Sequence, residues 1–211
     1  MAVSRVETWD AMHEQHDDVR EWYAGASQCA AYCYDEVLAE AEAALGRRPR
    51  VWHWGCGTST LGVTLAERHG CDVDNSDASA PAIARMASKY PAHRWRVEDA
   101  RSSPRESGGG GPYDLAVDKG VFDSITASRE TRAAAAAAVV ARVHEALAPG
   151  AAWVCFSGFA PDEKNMRCMI EESAPWESVD CDPFGDAPLE IPGQDSLYVY
   201  VCRRRPSEAS I

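Results

Sequence analysis

Val51-Trp52-His53-Trp54-Gly55-Cys56-Gly57-Thr58-Ser59 is the stretch on which the reading of this chain turns. The run of large side chains reads as a buried strand. The glycines behind it read as a tight turn into a helix. Glycine is wanted there because a side chain would keep the backbone from approaching a bound ligand. On its own, a Gly-x-Gly is a weak sign. Its weight comes from Asp77 at the end of the next strand, Asp99 after the third, and Asp118-Lys119-Gly120 after the fourth. That series is the pattern of a nucleoside-type cofactor lying across the carboxyl edge of a parallel sheet.

Working outward, the apolar positions Cys29, Tyr32, Cys33, Val37, Ala41 and Leu45 predict a helix over 27–45, closed by Gly46 and Pro49. After the first strand, Thr58 or Ser59 can cap a helix carrying Leu61, Leu65 and Ala66 on its inner face. A second strand over 71–76 is unusually polar for a central parallel strand. Ser79 and Pro81 start the next helix, and Pro91 ends it. Strands follow over 93–97, 113–117 and 151–156, with a long alanine-rich helix over 129–147 before the last of these. A helix over 162–172 precedes strands at 176–181 and 197–202, which have no helix between them. The expected architecture is α/β: a Rossmann-like, doubly wound, seven-stranded sheet, mostly parallel, with an antiparallel C-terminal edge pair. Residues 1–211 read as one domain, with an aromatic leader over 1–27, a core over 28–205 and a tail over 206–211.

The formal net charge of −12 argues against nucleic acid or an anionic membrane as the main partner. No apolar run is long enough to span a bilayer. The N-terminal residues, with Arg5, Glu7 and Asp10, do not look like a secretory signal. The eight cysteines form no Cys-x-x-Cys and read as reduced core thiols, so the expected compartment is cytoplasmic and no metal site is expected.

At the strand ends, Gly55 and Gly57 let the backbone close on the ligand. Asp77 sits where a ribose diol would be held, and Asp99 where a purine amine would be read. The third glycine of a dinucleotide turn is missing, and no Gly-Lys-Ser follows, which excludes a P-loop. A site without a phosphate seat points to S-adenosylmethionine, whose sulfonium and amino acid need acidic and backbone partners.

The chain resembles the class I, seven-stranded S-adenosylmethionine-dependent methyltransferases. Within them it resembles the protein-lysine methyltransferases that act on an elongation factor or on citrate synthase. The resemblance rests on Trp9-Asp10, Glu21-Trp22-Tyr23, Trp54-Gly55-Cys56-Gly57-Thr58-Ser59, Asn75-Ser76-Asp77-Ala78-Ser79 and Asp118-Lys119-Gly120-Val121-Phe122-Asp123. It implies that Trp9 and Trp22 close over the cofactor, with His13 standing where the family has a tyrosine. It implies Gly55 and Gly57 in the first turn, Asp77 and Ala78 at the ribose, Asp99 and Ala100 at the adenine, and Lys119 near the methionine end. Asp118 or Asp123 would orient the acceptor amine or take its proton. The implied activity is methylation of a lysine on a protein substrate by a monomeric enzyme. A small-molecule acceptor, and a non-catalytic module that binds the cofactor, stay open beside it.

Overall fold

The computed structural model describes residues 6–15, 20–101, 112–186 and 196–207. Most of the polar connection expected over 101–112, most of the proline-rich loop before the last strand, and the end of the tail lie outside them.

Seven strands form one sheet. They are β1 (Arg50–Trp54), β2 (Asp72–Asp77), β3 (Arg94–Val97), β4 (Tyr113–Lys119), β5 (Leu147–Ser157), β6 (Trp176–Asp186) and β7 (Ser196–Arg204), in the order β3-β2-β1-β4-β5-β7-β6. The first five run parallel. The C-terminal antiparallel pair is present, and β7 lies between β5 and β6, antiparallel to both. Strand order therefore reverses between β1 and β4, and at that point the carboxyl ends of neighbouring strands open a crevice.

Helices α1 (Val6–Gln15), α2 (Ala26–Cys33), α3 (Ala39–Leu45), α4 (Leu61–His69), α5 (Ala80–Lys89), α6 (Val121–Ile125), α7 (Arg132–Ala146) and α8 (Met166–Ser173) surround the sheet. One side is closed by Ala136, Val139, Val140 and Val143 of α7 with Met166 and Ile170 of α8. They pack on a run of aromatics that includes Trp52, Trp54, Trp153 and Trp176. The alanine run is thus a helix whose buried face repeats at three- and four-residue steps. On the other side Cys29, Cys33, Leu38, Leu61 and Leu65 meet Val51, Leu115 and Val154. The cysteines are free thiols.

The helix expected over 27–45 is interrupted by a π-turn at Tyr34–Leu38. The extra residue rotates the inward face. Leu38, five residues after Cys33, is buried, while Val37 is only half-buried. The strand expected from Ala151 begins earlier, at Leu147, which pairs with Tyr113 before a bulge restores register at Leu115 and Ala152.

The polar character of β2 has a packing cause. Asp74 accepts from the Tyr113 hydroxyl at 2.7 Å and from Arg94 Nε at 2.6 Å. Asn75 pairs with His53 Nδ1 at 3.1 Å and donates to the Arg94 carbonyl at 3.1 Å. Ser76 Oγ accepts from Trp52 Nε1 at 2.8 Å. Each buried polar group on β2 meets one supplied by β1, β3 or β4, so its burial is compensated. Gly62 on α4 lies directly over this network. A Cβ there would stand 1.9 Å from Asn75 Oδ1.

Candidate active site

A cavity of about 530 Å³ opens at the carboxyl ends of β1, β2, β3 and β4, within the size range of small-ligand sites. Trp9, His13, Trp22, Gly55, Gly57, Asp77, Ala78, Asp99, Ala100, Lys119 and Asp123 all line it. Asp118 does not.

Gly55 and Gly57 hold left-handed φ values of 59° and 49°. A Cβ on Gly55 would stand 2.4 Å from Val121 Cγ2. That glycine is thus required by the packing of the β4 turn against the β1 turn, rather than by ligand approach alone. Asp77 ends β2, and each of its oxygens accepts one backbone N–H, from Gly57 at 2.7 Å and from Ser79 at 2.8 Å. A carboxylate has about four acceptor sites, so two remain for a ligand. Burial pushes the Asp77 carboxyl above its ordinary value against the pull of those two N–H groups. Ser79 caps α5 by accepting from Ala82 N.

The leader is fastened from three directions. Arg20 N donates to Thr58 Oγ1 at 3.1 Å. Arg85 on α5 donates to the His13 carbonyl at 2.6 Å. Glu21 accepts from Ser59 Oγ at 2.7 Å, from Thr60 N at 2.8 Å and from Thr60 Oγ1 at 2.9 Å, and it pairs with Lys119 Nζ. Neither Thr58 nor Ser59 is the residue that begins α4; that residue is Thr60, and Glu21 reaches across from the leader to hold its N–H and hydroxyl. Ser59 Oγ also accepts from Leu61 N at 3.2 Å. Lys119 donates further to the Ala24 carbonyl at 2.9 Å. Its ammonium is therefore held on two sides at the wall of the cavity. Trp22 meets Trp9 edge-on at 6.2 Å, and His13 is buried against Gly57. Burial, with Arg85 adding to it, pulls the His13 imidazole below its ordinary value, so it is neutral near pH 7.

Beyond β3, the Asp99 carboxylate is gripped by Arg101 through its backbone N at 2.8 Å and its guanidinium at 2.7 Å. Arg142 of α7 donates to the Asp99 carbonyl at 2.9 Å and pairs with Glu98.

The two acidic residues after β4 part company. Asp118 is fully buried beneath the cavity floor. Its Oδ1 accepts from the N–H groups of Val121 and Phe122, each at 3.1 Å, and its Oδ2 accepts from Trp153 Nε1 at 2.9 Å. Asp118 therefore holds the start of α6 against β5, and its oxygens face away from the space where an acceptor would stand. Burial raises its pKa to about 7, against the pull of those donors. Asp123 faces the cavity. Its Oδ2 accepts from the Tyr23 hydroxyl at 2.7 Å and Gly158 N at 2.8 Å, and its Oδ1 accepts from Ser157 Oγ at 2.7 Å. Burial raises its pKa, and the three donors oppose that rise. It does not cap its helix; it joins leader, β4 turn and β5.

Tyr23, Phe159 and Lys164 complete this end of the cavity and were not singled out as site residues from the sequence. Tyr23 has a left-handed φ of 65°, and its ring covers Gly120, where a Cβ would stand 2.7 Å from Tyr23 Cε2. The Glu21-Trp22-Tyr23 motif was a signal for Tyr23. For Phe159 and Lys164 the pattern held none beyond their position after β5.

Residues 52–152 match the family model described as a methyltransferase domain. The fold agrees with solved structures over nearly the whole chain. A protein of echinomycin biosynthesis, in a structure reporting conversion of a disulfide bond into a thioacetal group, superposes with a TM-score of 0.66 at 18% identity, covering 97% of this chain and 94% of the other. The chain has a class I S-adenosylmethionine-dependent methyltransferase fold. The Burkholderia thailandensis 1,6-didemethyltoxoflavin-N1-methyltransferase, with S-adenosylhomocysteine bound, superposes at 0.64 with 17% identity, covering 95% of this chain and 87% of the other. A TehB-like methyltransferase of Corynebacterium glutamicum reaches 0.57 at 16% identity, over 94% and 95%. No curated protein matches significantly in sequence.

S-adenosylmethionine is the cofactor of this methyltransferase fold, and the residues present fit it. Asp77 keeps open acceptor positions at the end of β2, as a diol requires. Trp9, Trp22 and the His13 ring supply apolar and aromatic cover.

Proposed function

We propose that this chain transfers a methyl group from S-adenosylmethionine to a lysine side chain of a partner protein. The supporting observation is that the end of the cavity beyond the β4 turn already accommodates an alkylammonium. Lys164 Nζ lies 3.2 Å from the centroid of the Phe159 ring, and Asp123 and Tyr23 line the same end. An aromatic face and a carboxylate are the partners an incoming lysine needs.

Methyl transfer from a sulfonium is a displacement, and positioning with exclusion of water supplies most of its rate. The acceptor amine must arrive without its proton. Asp123 is the group set to orient that amine and take the proton, since burial raises its basicity. Tyr23, Ser157 and Gly158 hold its carboxylate in place. Asp77 and the leader tryptophans would bind the cofactor, and Lys119 would fasten the leader over it.

The second reading is a small-molecule acceptor. It is favoured by the Burkholderia relative in fold, whose structure contains 1,6-didemethyltoxoflavin. Incubation of the protein with tritium-labelled S-adenosylmethionine and cell lysate separates the readings. A labelled protein band, with label on lysine after hydrolysis, is the expected result. Label confined to small molecules refutes the lysine reading. Cofactor binding without any transfer would instead identify a non-catalytic binding module.

A further inference from the structure

The chain contains three lysines, Lys89, Lys119 and Lys164, against eighteen arginines. Two of the three line the cavity. Most of the chain's positive charge comes from arginine, which keeps its proton. Lysine is the basic side chain whose amine can lose its proton and act as a nucleophile. Lys119 is occupied by Glu21 and the Ala24 carbonyl. Lys164 is placed differently.

Lys164 follows β5 and has a φ of 53°; Asn165 after it has 57°. Two successive left-handed residues that are not glycine cost free energy, and such strain collects where function requires a particular direction. Here it accompanies a lysine at the wall of the cavity. The Lys164 ammonium rests on the Phe159 ring, and among the described residues no hydrogen bond holds it. Burial pulls its pKa below the ordinary lysine value, Asp123 opposes this, and Arg132 adds to it. A larger share of the amine is therefore neutral than at an open surface.

We propose that Lys164 is a methyl acceptor of the chain's own site, methylated in cis. This rests on the proposed lysine-methylating function, because it uses the same cofactor and the same acceptor end. The lone pair of neutral Lys164 Nζ forms the new N–C bond as the C–S bond breaks. The sulfur keeps that bonding pair and leaves as a neutral thioether, and the nitrogen becomes a methylammonium. The product keeps its charge on the Phe159 ring and fills the space that an incoming lysine would need, so self-methylation would compete with the partner protein.

The test uses the purified full chain and S-adenosylmethionine with a deuterated methyl group, so that methylation acquired during expression is distinguished. The expected result is one labelled methyl mapped to Lys164 by peptide mass spectrometry, formed with a first-order rate constant independent of protein concentration. Lys164→Arg should lose the label and still bind S-adenosylhomocysteine in calorimetry. In the cofactor-free protein, the pH dependence of Lys164 acetylation by acetic anhydride should have its midpoint below the ordinary lysine value. Label on Lys89 or Lys119 instead, or a first-order rate constant that rises with protein concentration, overturns the proposal. So does absence of label while cofactor binds and lysate protein is methylated, and in that case the proposed function survives. If no cofactor binds, the function and the self-methylation fall together.

Discussion

Glu21 is the residue whose removal the structure prices most clearly. In Glu21→Ala the Lys119 ammonium, 2% exposed, loses its counter-ion and keeps only the Ala24 carbonyl. Removing one partner of a buried pair costs about 3–5 kcal/mol, and the retained carbonyl argues for the lower end, about 3. The start of α4 also loses its acceptor at Thr60 N, worth about 1 kcal/mol. The expected loss is about 4 kcal/mol, a large part of the roughly 5–15 kcal/mol that keeps a domain folded. At about 2–4 °C per kcal/mol for a chain of this size, the melting point should fall by about 8–16 °C. Urea denaturation should report the loss as a lower midpoint at an unchanged slope. Adding Lys119→Met to Glu21→Ala removes the stranded charge and should recover about 2 kcal/mol or more of it. Burial pushes the Glu21 carboxyl up, but Lys119 and the donors from Thr60 and Ser59 outweigh this and leave it below its ordinary value. Its stabilisation is therefore present above the unfolded carboxyl value of about 4.3 and lost as pH falls through the folded value. The gap between the parent and Glu21→Ala should accordingly narrow below about pH 4. A loss under about 1 kcal/mol, or strict additivity in the double variant, would refute the account of the pair.

Two further substitutions probe the strand ends. Asp77→Ala should abolish S-adenosylhomocysteine binding in calorimetry while circular dichroism stays native; an affinity equal to the parent's would remove Asp77 from the ribose position. Asp118→Asn sets an amide NH2 against either Trp153 Nε1–H or the Val121 and Phe122 N–H groups, all donors. It should cost about 1–3 kcal/mol in chemical denaturation and leave cofactor affinity within a few-fold of the parent. Lost cofactor affinity with unchanged stability would return Asp118 to the site.

The class of fold and the position of the cavity were legible in the chain because both depend on local chemistry. Strand-length apolar runs alternating with helical periods specify a parallel sheet, and the glycines and aspartates that close the turns must sit at strand ends. Gly55, Gly57, Asp77 and Asp99 could therefore be located by counting. Three other matters depended on contacts between residues far apart in sequence. The polar β2 made sense only beside Trp52, His53, Arg94 and Tyr113, which receive its side chains. Asp118 and Asp123 are equivalent as letters, yet one is turned under Trp153 and the other towards Tyr23, because α6 starts between them. Lys119 lines the cavity, yet its ammonium is held by Glu21, ninety-eight residues away in the sequence. Lys164 carries no motif, and only the left-handed turn after β5 sets it against Phe159. The run Val51–Ser59 determined by itself that a strand would end in a glycine turn. Which side chains would face the resulting space was decided by packing, since the direction of a side chain depends on neighbours brought close by the fold alone.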